Sequence, residues 1–273
     1  MTNPLAGPTD RVALPTFVLT KEYRRFAEFC DACRRHRYIG LCYGPPGVGK
    51  TLSARYYAQW DIVEQHLYAY FRVPRKALTS CRTLMYTPAI TTTARRLAKE
   101  IEALHLRVNC LVEQALSVHE EIEGDGVREY CDLVIVDEAD RLKMQALEQL
   151  RDLYDGGTAG LILIGMPGLE KRLARYPQLY SRIGFAHAFR PLSQAEMRFM
   201  LLQYWTECGL VLAGQDFTDQ EALAAIIRIT GGNFRLLHRL LTQIGRILKV
   251  NELQTITQEV VEAARACLVI GTT

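Results

Sequence analysis

Residues 41–57, LCYGPPGVGKTLSARYY, decide how this chain folds. A short apolar run enters a segment with three glycines and two prolines in six residues, and a helix-forming stretch leaves it. The pattern is G-x-x-x-x-G-K-[ST]: Gly44, Pro45, Pro46, Gly47, Val48, Gly49, Lys50 and Thr51, with Leu52 following. A loop of this kind turns its backbone N–H groups toward an anion-sized nest, and the helix starting near Lys50 aims its positive end at the same spot. Lys50 reaches the β- and γ-phosphates of a nucleotide held there, and the Thr51 hydroxyl reaches Mg²⁺. A nucleoside triphosphate with Mg²⁺ is the ligand this spacing implies.

The surrounding chain supplies what such a loop needs. Residues 38–43, YIGLCY, read as a short strand running into the loop, and residues 20–36 read as a helix before it, with Tyr23, Phe26, Ala27, Cys30 and Cys33 on one face. Residues 83–88 look like a second strand. Residues 91–106 have a helical period through Ala94, Leu97, Ile101 and Leu104, and a separate helix is expected from about Arg107 to Ile122. The stretch 61–82 has no clear assignment. Residues 132–140, DLVIVDEAD, form a buried strand ending in acids; Asp137 would hold Mg²⁺ through its waters, and Glu138 would orient or deprotonate an attacking water. A buried strand follows at 160–167 and a last short strand at 185–192, with helices at 144–157 and 168–183, the last broken near Pro177. Strands alternating with helices, in apolar runs without a period of two, imply a parallel sheet covered on both faces. From Ser193 onward only helices are expected, at about 193–208, 219–230, 234–249 and 257–268. The division is then a flexible arm over 1–19, an α/β nucleotide-binding core over 20–190, and a helical lid over 191–273.

Composition is that of an ordinary globular chain: 49% apolar and 23% charged over 273 residues. No apolar run approaches the ~18 residues of a membrane span, and MTNPLAGPTDR lacks the pattern of a secretion signal. The expectation is a cytoplasmic protein without a membrane partner. Eight scattered cysteines read as reduced thiols. Cys30 and Cys33 form one CxxC with His36 nearby, but no second ligand pair stands at zinc spacing, so a structural role is expected. Charge is uneven. Residues 1–111 carry 17 Lys/Arg against 8 Asp/Glu, and residues 112–159 carry 4 against 13. A basic face for an anion and an acidic site for Mg²⁺ fit this division, as does a solvated surface beside an acidic helix.

Adjacent Asp and Glu after a buried strand favour hydrolysis over kinase chemistry, and no N/T-K-x-D-like element selects guanine, so ATP is the expected nucleotide. Arg182 follows a helix after the fourth strand, where it can act in a neighbouring subunit as an arginine finger. Arg235 begins a lid helix after two glycines, where a cation can touch bound phosphates. The fourth strand ends in Gly165 and Met166, without a polar side chain to sense the γ-phosphate. Thr91, Thr92 and Thr93 precede Arg95, Arg96 and Lys99 at a helix start. With Arg75 and Lys76, these suit contact with a DNA backbone without reading bases.

GPPGVGKT, LVIVDEADRL, YSRI and GGNFRLL together resemble an AAA+ P-loop NTPase with a parallel central sheet and a C-terminal all-α lid. The order and spacing are similar to the transposition regulators of the TnsC/TniB/MuB group, to which the short AAA+ proteins of CRISPR-associated transposons belong. DEADRL, LILIG-x-x-x-L-x-x-R and GN-x-R-L-L carry most of the likeness, which spans about residues 20–268. The resemblance implies a slow, regulatory ATPase that assembles as a ring or helical filament on double-stranded DNA. It would mark a target site and stimulate a transposase, recruited in some members by a target-selection adaptor. By position, Thr91–Thr93 and Arg95–Lys99 resemble the part that lines DNA. The lid motif also occurs in secretion-associated ATPases and in origin-binding initiators, which remain the alternatives.

Overall fold

A computed structural model describes residues 17–67, 78–116, 129–207, 217–253 and 255–268. The chain divides into two compact units, Lys21–Arg190 and a second built from Pro191–Thr273 with the described part of Met1–Thr20.

In the first unit, helix α1 (Lys21–His36) precedes strand β1 (Ile39–Tyr43), and two short helices follow, α2 (Lys50–Tyr57) and α3 (Trp60–His66). Then come β2 (Thr83–Tyr86), α4 (Ala94–Leu116), β3 (Leu133–Val136), a 3₁₀ turn (Ala139–Arg141) and α5 (Met144–Gly156). The unit closes with β4 (Gly160–Gly165), α6 (Leu169–Leu173), α7 (Pro177–Tyr180) and β5 (Ile183–Ala188). The five described strands pair in parallel in the order β2-β3-β4-β1-β5. Every residue of β2 and β4 is buried, although neighbours along a strand face opposite sides, so those strands are covered on both faces. Helix α1 packs on β1, β4 and β5 through Phe26, Phe29, Cys30 and Cys33. Burial raises the Cys33 thiol to about 12 and pushes Cys30 well above its usual range, so both behave as core residues.

Three expectations change. The two helices anticipated around Arg107 are one, α4: no Gly or Pro interrupts it, and Val108, Leu111, Val112 and Ala115 extend the buried stripe begun by Leu97 and Ile101. Residues 117–122 lie outside the described ones. The unassigned stretch begins with α3, which Gln59 enters in a left-handed conformation (φ 51°) and which buries Trp60 and Val63. β5 starts at Ile183 rather than Phe185, because Gly184 lets the strand lie against the Tyr38 ring; a Cβ there would stand 2.4 Å from it. β5 also alternates between half-buried and exposed positions, as suits an edge strand.

The second unit is helical: α8 (Gln194–Glu207), α9 (Phe217–Thr230), α10 (Phe234–Val250) and α11 (Gln258–Ala266). Ser193 and Glu196 form a reciprocal capping box at the start of α8. The Asn233 side chain accepts the Leu236 N–H at 3.1 Å and caps α10. Before it, Gly232 (φ 82°) brings its backbone against Leu192, whose N–H donates to the Gly232 carbonyl at 3.0 Å. A Cβ on Gly232 would stand 2.3 Å from the Leu192 oxygen. Leu237, Leu240, Leu241 and Ile244 of α10 pack with Ile226, Val261 and Ala264 of its neighbours to form this unit's core.

Candidate nucleotide site

β1 and β3 flank β4, and their carboxyl ends carry the glycine-rich loop and the acids. That end of a parallel sheet, where the strand order reverses, is where such folds bind ligands. Gly44 starts the loop by passing close to β5: a Cβ would lie 2.3 Å from the Phe189 carbonyl oxygen. Gly47 (φ 80°) and Gly49 (φ 106°) take left-handed backbone, and Val48 anchors the loop in the core. Pro45 and Pro46 stand exposed. Lys50 Nζ donates to the carbonyls of Gly44 and Pro45 at 2.5 and 2.8 Å. Burial lowers its pKa below the usual lysine value, with Cys42, Asp137, Glu138 and Asp140 pulling the other way. Leu52 is exposed on the first turn of α2.

Thr51 Oγ1 donates to Asp137 Oδ2 at 2.7 Å across 86 positions of sequence. Asp137 is buried, and its other oxygen accepts the Glu138 N–H at 2.9 Å. A hydroxyl and a carboxylate side by side are a hard oxygen donor set, which suits Mg²⁺. Glu138 adopts left-handed backbone (φ 53°), a conformation that costs a non-glycine residue of order 1–3 kcal/mol. Its carboxylate is half exposed, with Arg141 Nη2 at 3.8 Å. Among the described residues no cluster of three His, Cys, Asp or Glu side chains forms a metal site.

Sequence reasoning missed how the acidic turn is held. Asp140 Oδ1 accepts the Met166 N–H at 3.2 Å, so the residue after β4 gives its backbone to the acidic turn. Arg172 donates to the Asp140 carbonyl at 2.9 Å and to that of Leu142. Arg141 Nη1 donates to the Pro88 carbonyl at 3.2 Å. The signal for Arg172 was its place in LILIG-x-x-x-L-x-x-R, and that for Asp140 and Arg141 their place in DEADRL, but neither motif says which groups they hold.

Other named residues divide. Arg182 donates through Nε to Asp155 at 2.7 Å and through Nη1 to the Gln178 carbonyl at 2.6 Å. Arg235 is exposed on the first turn of α10, in the second unit. Thr91, Arg95 and Lys99 are exposed at the start of α4. Thr93 Oγ1 accepts the Arg96 N–H at 3.3 Å, and Arg96 pairs with Glu100 at 2.7 Å. Thr92 corrects its expectation: it is 7% exposed, in a turn where its N–H donates to the Ala89 carbonyl at 3.0 Å, so its hydroxyl is not presented on the surface. Arg75 and Lys76 lie outside the described residues.

A family model described as an AAA domain matches residues 33–173. A "Potential ATP-binding protein" of Staphylococcus aureus is 48% identical over 266 residues, covering 93% of this chain and 97% of that protein. The "Mu-like prophage FluMu DNA transposition protein B" of Haemophilus influenzae is 25% identical, covering 83% of this chain and 71% of its own length. The "ATP-dependent target DNA activator B" of Escherichia phage Mu is 28% identical over 67% of this chain, which spans only 54% of that protein. Among solved structures, the Thermotoga maritima RuvB Holliday junction branch migration motor superposes with a TM-score of 0.59 at 15% identity, covering 92% of this chain and 70% of the other. The fold is that of a RuvB-like P-loop protein with C-terminal helices. No helix among the described residues is long and apolar enough to cross a membrane.

Proposed function

The chain belongs to the AAA domain family, and from that premise we propose that it is an ATP-hydrolysing regulator of transposition that assembles on double-stranded DNA. The observation that carries the reading is the 2.7 Å contact of Thr51 with Asp137, which joins the phosphate loop to the acids. Residues 44–52 wrap the triphosphate. Lys50 exchanges its two loop carbonyls for phosphate oxygens. Mg²⁺ held by Thr51 and Asp137 would neutralise the phosphates. Glu138 accepts a proton from water as the water oxygen bonds to the γ-phosphorus. The bond to the β–γ bridging oxygen breaks, and ADP and phosphate leave. Arg182, once released from Asp155, reaches a neighbouring subunit's γ-phosphate.

The DNA side of the reading rests on the named relatives and on the exposed cations Arg95 and Lys99 at the start of α4. A membership in the TnsC/TniB/MuB group would add a transposase, and in some settings a target-selection adaptor, as partners. Contacts of this kind are non-specific and salt-dependent, and assembly multiplies them. Binding to a mixed-sequence duplex, measured with ATP and with ADP at two salt concentrations, tests the proposal. The expected result is tight binding with ATP that weakens steeply with salt, with Glu138→Gln prolonging the bound state. Absence of duplex binding under all conditions would refute it and favour the secretion-associated alternative.

A further inference from the structure

Arg182 joins α7 to β5, and its carbonyl accepts the Ile39 N–H at 3.4 Å, which fixes its backbone to the sheet. Its guanidinium makes two contacts of different kinds. Nη1 donates to the carbonyl of Gln178, four residues back on the same segment, at 2.6 Å. Nε donates to Asp155 Oδ1, at the end of α5, at 2.7 Å. Nη2 donates to no described residue. The same carboxylate has a second guanidinium close by. Asp155 Oδ2 lies 4.0 Å from Nε of Arg151, one turn earlier in α5. That Nε is buried and has no hydrogen-bond partner among the described residues. The two terminal nitrogens of Arg151 are engaged, by Gln178 Oε1 and Asp152 Oδ1, each at 2.6 Å. A buried donor left unmatched costs stability, and here the nearest remedy is a carboxylate that already serves another arginine. The Arg182–Asp155 pair is 36% exposed on both sides. An ion pair so exposed is weak, and a triphosphate attracts a guanidinium more strongly than one carboxylate does.

We propose that Asp155 is a positioning residue that exchanges guanidinium partners when copies of the chain assemble. In the single chain it holds Arg182. When a neighbouring copy presents a bound triphosphate, Arg182 turns about its fixed backbone toward the γ-phosphate, and Asp155 moves onto Arg151 Nε. The carboxylate keeps a cation throughout, and the buried Arg151 donor gains its hydrogen bond, which offsets the loss of the first pair. Hydrolysis is thereby restrained until a neighbour is in place. Only side chains move in this exchange. The inference rests on the preceding assignment of Arg182 to a neighbouring subunit's γ-phosphate.

Steady-state ATP hydrolysis by the full chain, followed across a wide range of protein concentration with sedimentation reporting assembly, tests it. Wild type is compared with Asp155→Asn, Arg151→Gln, Arg182→Gln and the double variant Asp155→Asn with Arg182→Gln. Where the protein is assembled, Asp155→Asn is expected to raise kcat about two- to fivefold, with KM for ATP within about twofold of wild type. At dilutions where single chains dominate, its rate is expected to match wild type. Arg151→Gln removes the second partner and is expected to lower the assembled rate. In the Arg182→Gln background, Asp155→Asn is expected to change nothing. Should Asp155→Asn fail to fold, Asp155→Ser carries the same comparison. An unchanged or lowered assembled rate in Asp155→Asn, a rise that persists without Arg182, or an Arg151→Gln rate that does not fall overturns the exchange alone. A wild-type rate in Arg182→Gln at every concentration removes Arg182 from the neighbour's site, and the exchange falls with it.

Discussion

Lys50 is the residue on which the nucleotide site turns. Its ammonium already makes two hydrogen bonds to loop carbonyls, and partial burial lowers its pKa. A triphosphate offers this half-desolvated cation stronger, charged acceptors, each worth ~1.5–3 kcal/mol. Lys50→Ala is therefore expected to weaken ATP binding by about 100-fold, since losing one or two charged hydrogen bonds costs about 2.7 kcal/mol. Titration calorimetry checks this, and unchanged affinity would remove the phosphate loop from the argument. Glu138 and Asp137 are neighbours in sequence but differ in setting. Asp137 is buried and has both oxygens engaged, whereas Glu138 is half exposed with Arg141 Nη2 at 3.8 Å. The roles proposed above, a metal ligand for Asp137 and a base for Glu138, suit those two different environments.

At the scale of elements, the acidic turn is held to its neighbours by the end of β4 and by Arg172 of α6. Gly165 closes β4 where a Cβ would lie 2.5 Å from Leu169 Cδ2 and 2.8 Å from Asp140 Oδ1. Gly165→Ala is expected to push Asp140 off the Met166 N–H and to destabilise the core by ~1–3 kcal/mol through overpacking. A lowered urea midpoint with an unchanged m-value would register that loss, and wild-type stability would show that the contact is slack. The missing polar side chain at Met166 is matched by this use of its backbone: the position links β4 to the acidic turn through an amide instead. Helix α10 shows the other kind of control, in which a local cap and a continuous apolar stripe suffice.

For the whole molecule, Glu22 and His187 show how the ends of the first unit are joined. Glu22, in the first turn of α1, is buried with Oε1 3.1 Å from His187 Nε2 on β5. The same oxygen accepts the Arg190 N–H at 3.1 Å. His187 stacks on Phe29 with ring centroids 5.5 Å apart. Burial lowers its pKa; Glu22 opposes this, while Arg25 and Arg190 reinforce it. In the unfolded chain the imidazole titrates near ~6.5. Below that pH the unfolded chain takes up a proton that the folded core resists. Stability from this site is therefore present above ~6.5 and declines as pH falls from there toward the lowered folded value. Thermal unfolding is expected to show a lower Tm at pH 5.5 than at pH 7.5 in buffers of matched ionic strength. His187→Gln should flatten that interval, and an unaltered slope would assign the pH dependence elsewhere.

The sequence by itself determined the features that local sterics and spacing encode. These are the glycine loop with its lysine and threonine, the buried strands, the acids ending β3 and the helices of the second unit. Each follows from φ/ψ limits, apolar periodicity or a cap within a few residues. It misled where breakers were inferred without Gly or Pro, as in α4, and where a hydroxyl beside arginines was read as exposed, as at Thr92. Tertiary structure alone decided that Thr51 meets Asp137, that Arg141 reaches Pro88, that Asp140 holds Met166 and that Arg182 rests on Asp155. Those contacts join residues from 26 to 86 positions apart. The Thr51–Asp137 and Asp140–Met166 contacts depend on the strand order, which sets β4 between β1 and β3, and no local pattern carries the order in which parallel strands assemble.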